Sequence, residues 1–426
     1  MREVHTSLLI VGAGPAGIVA AVTAAEFGID VCLIDMQARP GGQIWRGQWE
    51  QSRDSRARHW MQALRASGVR CEFGARLIDA PEIGIALATT ADGGLLIHYD
   101  YVLIATGARE RLLPFPGWTL PGVCGAGGLQ VLVKDGLPIR NKRVVVAGSG
   151  PLLLAVAATL RERGAQVLAM VEQAGWRARW TALPTLLRSP RLLHQAIGYA
   201  WTLRGIPMPC NAWPVRASGV DKVQSAIISI AGKEQQFDCD YLAAGFGLIP
   251  NLDVAACFGC RIEQGAVSVD QSFVTSVPGI YCAGEGTGIG GVDQAIAQGL
   301  IAAFEIAQRE PGRAVRRRAR LARNRAQSLL RHTVPRAELR DSINPETLIC
   351  RCENVCAGAL RDCSSAREAR LHTRFGMGHC QGRICAPIAE FLHGWACPLP
   401  RAPLAPTPVS HLDLSTLSTL QRGTSP

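Results

Sequence analysis

Two glycine-rich turns, each set between an apolar strand and an apolar helix, and seven cysteines between Cys350 and Cys397 predict an α/β protein. The expected architecture is two Rossmann-like dinucleotide-binding units and a small Cys-rich C-terminal domain. A chain of 426 residues, 48% of them apolar, is large enough for two to four domains with a substantial core. Its 45 Gly and 19% charged residues fit a globular α/β chain rather than a disordered or fibrous one.

The first unit begins with the strand-like run Ser7–Val11, followed by Gly12-Ala13-Gly14-Pro15-Ala16-Gly17 and an Ala-rich helix. Gly12 permits the tight turn, Gly14 lets backbone approach a pyrophosphate, and Gly17 lets helix and strand pack closely. The helix start, with Pro15 and Ala16, offers N–H groups and a positive dipole to phosphate. Val31–Ile34 then forms a second strand ending in Asp35, whose carboxylate can accept both ribose hydroxyls. The uncharged run Leu8 to Ala25 is long enough to suggest a membrane span. Its glycines at nucleotide-loop spacing and the strand that follows identify it instead as strand, turn and helix, so no transmembrane segment or signal peptide is expected.

Three further stretches accompany this unit: Arg39-Pro40-Gly41-Gly42-Gln43-Ile44-Trp45, the strand Tyr101–Arg109 carrying Ala105-Thr106-Gly107, and Thr275–Glu285, which runs into Gly284 and Glu285. This set resembles the two-dinucleotide-domain flavoprotein reductases. The resemblance implies FAD at the first site, with Gly42, Gln43, Thr106 and Gly107 bordering the flavin. It further implies that Glu285, where the family usually has Asp, hydrogen-bonds the ribitol. A helix over about 292–307 follows, apolar at Ile296, Leu300, Ala303 and Ala307. Its N-terminus is expected to face the flavin ring and favour the reduced, anionic form.

The second unit repeats the pattern about 135 residues on: strand Lys142–Ala147, then Gly148-Ser149-Gly150-Pro151-Leu152-Leu153, then an apolar helix and a strand Gln166–Val171 ending in Glu172. Leu153 occupies the third Gly position, so either the helix is pushed outward or a neighbouring small residue makes room. Gly148, Gly150 and Glu172 are the candidate nucleotide contacts. Glu172 suits an unphosphorylated ribose and favours NAD over NADP; another adenine nucleotide, or a retained but idle fold, shares the reading. Cys257-Phe258-Gly259-Cys260 has redox C-x-x-C spacing but sits away from the Gly41-Gly42-Gln43 turn and outside the second unit. It is read as two small core thiols, and Cys124 as a packing residue.

The cysteine-rich region joins Cys350-Arg351-Cys352-Glu353-Asn354-Val355 to Gly376-Met377-Gly378-His379-Cys380-Gln381-Gly382-Arg383-Ile384-Cys385, a C-x-C and a C-x4-C pair. Four soft thiolates at Cys350, Cys352, Cys380 and Cys385 suit either a 2Fe–2S cluster or tetrahedral zinc. Arg351, Arg374 and Arg383 would offset a cluster's negative charge, which structural zinc has little need of. Cys356, Cys363 and Cys397 fall outside the pattern, and His379 is read as an exposed loop residue. The module resembles the bacterioferritin-associated-ferredoxin-like 2Fe–2S domain.

Of the net charge of +11, +9 lies in residues 309–340, which hold eleven Arg and two Glu. Val315, Ala319, Ala322, Ala326 and Leu329 recur at helical spacing, with Arg316, Arg317, Arg318, Arg320, Arg323 and Arg325 around them. This predicts an amphipathic helix whose Arg face is solvated or docks on an acidic partner subunit. With no recognition module beside it, the run does not support nucleic-acid binding. The tail after Cys397 is expected to be an extended strap or to lack order.

Together with Leu113–Val123 and Gly148–Ala155, these features resemble the α-type FAD-dependent subunit of the opine oxidase, D-hydroxyproline dehydrogenase and hydrogen cyanide synthase group over roughly residues 5–400. The resemblance implies an FAD domain at 1–113 and 245–310, and a NAD-like domain inserted at 114–244. An Arg-rich helical linker at 311–340, a 2Fe–2S domain at 341–398 and a tail at 399–426 complete the chain. It implies an electron-transfer subunit of a cytoplasmic hetero-oligomer, with inner-membrane contact left open. An amino-acid-oxidase-like FAD subunit would oxidise an amine or amino acid, and a small ferredoxin-like subunit or a respiratory acceptor would take the electrons. No acid–base constellation is found, so no catalytic residue is assigned. The alternatives are a free-standing NADH-dependent flavoprotein reductase and a non-catalytic scaffold with structural zinc.

Overall fold

The computed structural model describes residues 1–47, 54–176, 184, 187, 189–331, 333–396 and 398–412; Cys397 and the tail beyond residue 412 lie outside them. The chain forms two compact units. The first comprises Met1–Ala108, Pro250–Arg323 and the stretch from Leu399, and the second Arg109–Ile249 with Asn324–Pro398.

The first unit is built on a seven-stranded sheet. Arg2–Val11 lies at its centre, parallel to Val31–Asp35 on one side and to Gly93–Ile104 on the other. Ile280–Cys282 adds in parallel to Gly93–Ile104. Parallel strands covered on both faces need apolar residues without alternation. Leu8, Leu9 and Ile10, and Cys32, Leu33 and Ile34, are accordingly inaccessible to solvent. Helix Pro15–Glu26 covers one face together with helix Gly291–Ile306. These two approach so closely that a Cβ on Gly299 would lie 2.4 Å from the Ala16 carbonyl oxygen. The suspected membrane span thus divides into strand, turn and helix, and no helix among the described residues is long and apolar enough to cross a membrane.

Residues 399–412 cross the same unit as a strap. Leu404 and Ala405 are buried, the Leu404 amide donates to the Ile78 carbonyl (2.8 Å), and His411 Nδ1 lies 2.7 Å from the Thr89 hydroxyl.

The second unit centres on a four-stranded parallel sheet of Gln166–Glu172, Arg143–Gly148, Tyr241–Gly245 and Val123–Cys124. A three-stranded antiparallel meander, Ala212–Ser218, Ser225–Ile230 and Lys233–Asp238, accompanies it. The cysteine-rich region packs into the same core: one buried cluster joins Phe115, Trp118, Val145 and Phe246 to Ile349, Phe375, Cys385 and Ile388. The Trp118 indole N–H donates to the Leu348 carbonyl at 2.7 Å.

Helix Arg313–Leu330 bears the predicted stripe. Ala322 and Ala326 are buried, whereas Arg316, Arg317, Arg318, Arg320 and Arg323 are exposed.

Candidate flavin site, second nucleotide loop and cysteine centre

The first phosphate loop is shaped by three glycines with different tasks. Gly12 has φ +112°, and a Cβ there would lie 2.3 Å from the Ala105 carbonyl oxygen. A Cβ on Gly17 would lie 1.9 Å from the Gly12 carbonyl oxygen, so helix and strand meet only because both residues lack one. Gly14, by contrast, faces open space, with nothing within 4 Å of a Cβ. It caps helix Pro15–Glu26, whose first residue is the proline. An anion above Gly14 would meet free N–H groups and the positive helix end.

Around this loop the residues expected at the flavin converge. Asp35 ends its strand with Oδ2 accepting from the Ala13 amide (2.6 Å) and Oδ1 from the Gln37 amide (2.7 Å). Burial raises its pKa, and these two N–H bonds offset part of the rise. The Gly41 amide donates to the Ala13 carbonyl, and Gly42, at φ +56°, sits with its Cβ position 3.0 Å from Gly14 Cα. The Gly41-Gly42-Gln43 turn therefore rests on the phosphate loop, with the Gln43 side chain exposed and Trp45 fully buried. Thr106 is locked to Asn251: its hydroxyl donates to the Asn251 carbonyl (3.0 Å), and Asn251 Nδ2 donates to the Thr106 carbonyl (2.9 Å). The Asn251 amide also donates to the Gly107 carbonyl.

Gly284 and Glu285 close the set. The Gly284 amide donates to Oε1 of buried Gln298 (2.7 Å), which also accepts from the Thr287 hydroxyl. Gln298 carried no motif in sequence; only its place on the buried side of the helix marks it. Glu285 Oε1 accepts from the Gly291 amide (2.7 Å), while Oε2 is buried without a partner. Burial raises the Glu285 pKa against the Gly291 and Gly290 amides that lower it. A buried carboxylate oxygen lacking a donor is costly alone and fits a ligand hydroxyl, so this cradle has room in its hydrogen bonding for a hydroxyl-bearing cofactor.

The second loop repeats the first with two differences. Gly148 has φ +137° and would place a Cβ 1.7 Å from the Gly245 carbonyl oxygen, so its turn is equally tight. Leu153 is accommodated rather than expelled: it is buried among Ala126, Val144 and Val146. Glu172 Oε2 accepts from the Gly150 amide (2.9 Å) and Oε1 from the Ala174 amide (3.1 Å). The longer Glu thus reaches one residue further along its loop than Asp35 does. Gly150, unlike Gly14, is covered: its Cβ would lie 2.6 Å from Thr333 Cγ2.

The four cysteines of the C-x-C and C-x4-C pairs neighbour one another in series, although among the described residues no three of their sulfurs lie within 4.8 Å of one another. Cys350 ends strand Leu348–Cys350, and Cys385 opens helix Cys385–His393; both are buried, Cys380 is half-buried and Cys352 is exposed. Their thiols bond in series, Cys350 to Cys385, Cys385 to Cys380, and Cys380 to Cys352. The Cys385 bond, aided by the Gly376, Glu353 and Cys352 amides, lowers Cys350 to about 6 despite burial. Cys380 falls to about 5 through Cys385, the Ile384 and Gly382 amides and Cys352. Cys385 is raised because it donates to both. Thiols whose surroundings favour the thiolate form are a ready set of soft donors.

The three arginines named from the sequence take different partners. Arg374 pairs with Glu353 (2.8 Å), Arg351 lies over the Trp118 ring at 5.3 Å, and Arg383 Nη1 donates to the Cys380 carbonyl at 3.4 Å. A further guanidinium, that of Arg370, lies 3.5 Å from the Gly376 Cβ position and 3.7 Å from that of Gly382, and its Nε is buried without a partner. Its position on helix Ala366–Thr373 gave no motif to read.

Two other groups clarify what the site is not. The Cys257 thiol donates to Asp79 (3.8 Å) and the Cys260 thiol to the Thr275 hydroxyl (3.5 Å), and burial raises both, Cys257 to about 11. They are protonated core thiols, poor candidates for disulfide exchange. Glu110, unremarked in the sequence, is half-buried at the start of helix Ala126–Lys134. It accepts from the Gly127 and Gly128 amides (2.9 and 3.3 Å). Burial raises it to about 7 against these N–H bonds.

The pyridine nucleotide-disulphide oxidoreductase family model matches residues 6–299. Hydrogen cyanide synthase subunit HcnB of Pseudomonas aeruginosa is 32% identical, covering 94% of this chain and 97% of that protein. An opine oxidase subunit of Rhizobium meliloti is 30% identical, covering 91% of this chain and 83% of that protein. Among solved structures, L-proline dehydrogenase from P. horikoshii superposes with a TM-score of 0.67 at 19% identity, covering 96% of this chain and 79% of that one, a likeness of fold.

Proposed function

The chain belongs to the pyridine nucleotide-disulphide oxidoreductase family, among the relatives of hydrogen cyanide synthase subunit HcnB and of opine oxidase subunits, and is an FAD-dependent oxidoreductase; from that premise we propose that it is the electron-transfer subunit of a heteromeric amino-acid or amine dehydrogenase. Its partner would be an amino-acid-oxidase-like flavoprotein subunit that oxidises the C–N bond, with a ferredoxin-like subunit or respiratory acceptor downstream.

The observation that carries this reading is the thiol series on the same chain as the flavin cradle. Cys350, Cys385, Cys380 and Cys352 follow one another in contact, four soft donors from one short region of the chain, and that supply supports a cysteine-ligated centre. FAD, when bound, supplies a carrier that takes electrons in pairs and passes them singly, and a 2Fe–2S cluster supplies a one-electron carrier.

The chain's own residues do the rest. Gly14 and the start of helix Pro15–Glu26 receive the pyrophosphate, Asp35 the adenosine ribose, and Glu285 Oε2 a ribitol hydroxyl. The Cys385 thiol, together with the N–H groups of Gly376, Glu353, Gly382 and Ile384, favours the thiolate form of Cys350 and Cys380.

Changing Cys380 to Ser tests the proposal in the assembled enzyme. Iron absorbance is expected to disappear and amine-to-acceptor turnover to fall by at least about tenfold, with FAD retained. Unchanged iron content and turnover would refute it.

A further inference from the structure

The two phosphate loops act as controls for each other. Above Gly14 the space is open; above Gly150 it is filled by Thr333, whose methyl lies 2.6 Å from the Gly150 Cβ position and whose carbonyl oxygen is 3.6 Å from that of Gly247. The chain then continues along the carboxyl ends of the second unit's strands, where open α/β sheets hold their ligands. The Val334 carbonyl accepts from Gln173 Nε2 (3.0 Å), and the Arg336 amide donates to Gln173 Oε1 (3.2 Å). Gln173 is wholly buried and directly follows Glu172, so this one segment satisfies both ends of its amide. The Arg336 guanidinium donates to Asn211 and Glu338 and lies over the Trp213 ring at 5.2 Å. Asn211 in turn follows Cys210, which bridges Glu172.

We propose that residues 333–338 are a strap occupying the dinucleotide groove of the second unit, so that the chain serves as its own ligand there. Thr333 stands over Gly150 where a pyrophosphate would lie, and the Gln173–Arg336 latch closes the groove beside the ribose acid Glu172. With the strap down, dinucleotides, NADH included, are excluded, and an adenine nucleotide with an unphosphorylated ribose enters only when the strap lifts. Electrons therefore do not reach this subunit from NADH. The strap closes the groove whatever metal the thiols hold, so this inference stands apart from the cysteine-centre reading.

Titration of the FAD-loaded chain with ADP-ribose and with NADH, by calorimetry, tests it. The wild type is expected to show no saturable binding up to about 1 mM. Arg336→Ala and Thr333→Gly are each expected to bind ADP-ribose at least about tenfold more tightly, because each removes part of what the nucleotide must displace. Hydrogen exchange on the unmodified protein gives a second reading that needs no variant. The Arg336 amide, donated to Gln173, should exchange at least about a hundredfold more slowly than an open amide. Micromolar binding by the wild type, no gain in a variant that keeps its FAD and circular dichroism, or unprotected exchange at Arg336 would each overturn the proposal.

Discussion

Glu110 is a carboxylate whose surroundings work against its charge. Burial raises it to about 7, and the amides at the start of helix Ala126–Lys134 only partly compensate. Between the ordinary value of 4.5 and about 7, the folded chain keeps a proton here that the unfolded chain has lost. Stability from this group therefore falls as pH rises through that window and is level above it. The fall should be about 3 kcal/mol. Glu110→Gln removes the titration, so its stability relative to wild type should improve by about that amount between pH 4.5 and 7.5. Urea unfolding of the FAD-loaded protein at the two pH values measures it; an unchanged difference would contradict the assignment. Nothing in the sequence pointed to Glu110, because its partners are backbone amides that folding brings from 17 and 18 residues away. Asp35 was legible because its task depends on distance along the chain from a loop of fixed shape.

At the scale of elements, strands and helices followed from local pattern. The Val31–Ile34 run, the two loops and the Arg-bearing helix stripe each rest on periodicity or on glycines whose task is local. The strap was not legible: Thr333-Val334-Pro335-Arg336 has no periodicity, and its place is fixed by a groove formed over 150 residues earlier. The seat of the cysteine-rich region was equally hidden. Its core is shared with Phe115 and Trp118, and Trp118 adds a hydrogen bond to Leu348. Trp118→Ala should therefore destabilise the second unit by about 3–5 kcal/mol, through lost burial and an orphaned carbonyl. Chemical denaturation followed by tryptophan fluorescence and circular dichroism checks this; a loss below about 1 kcal/mol would show that the region does not depend on that core.

Over the whole molecule, composition takes on a location. The excess positive charge is one exposed Arg face, about half the cysteines form one C-terminal region, and many glycines serve two phosphate loops and the turns around them. The fold class was readable because two loops and their acids recur in order. The difference between the loops was not, since Gly14 and Gly150 look alike in sequence and only the folded chain shows which is covered. An open flavin cradle, a covered second groove and a thiol centre together favour a subunit that receives electrons from a partner and passes them on. The most direct measurement is the iron, acid-labile sulfide, zinc and flavin content of the chain purified anaerobically with its native partners. About two iron and two sulfide per chain, alongside FAD, is the predicted result; zinc without sulfide would contradict it.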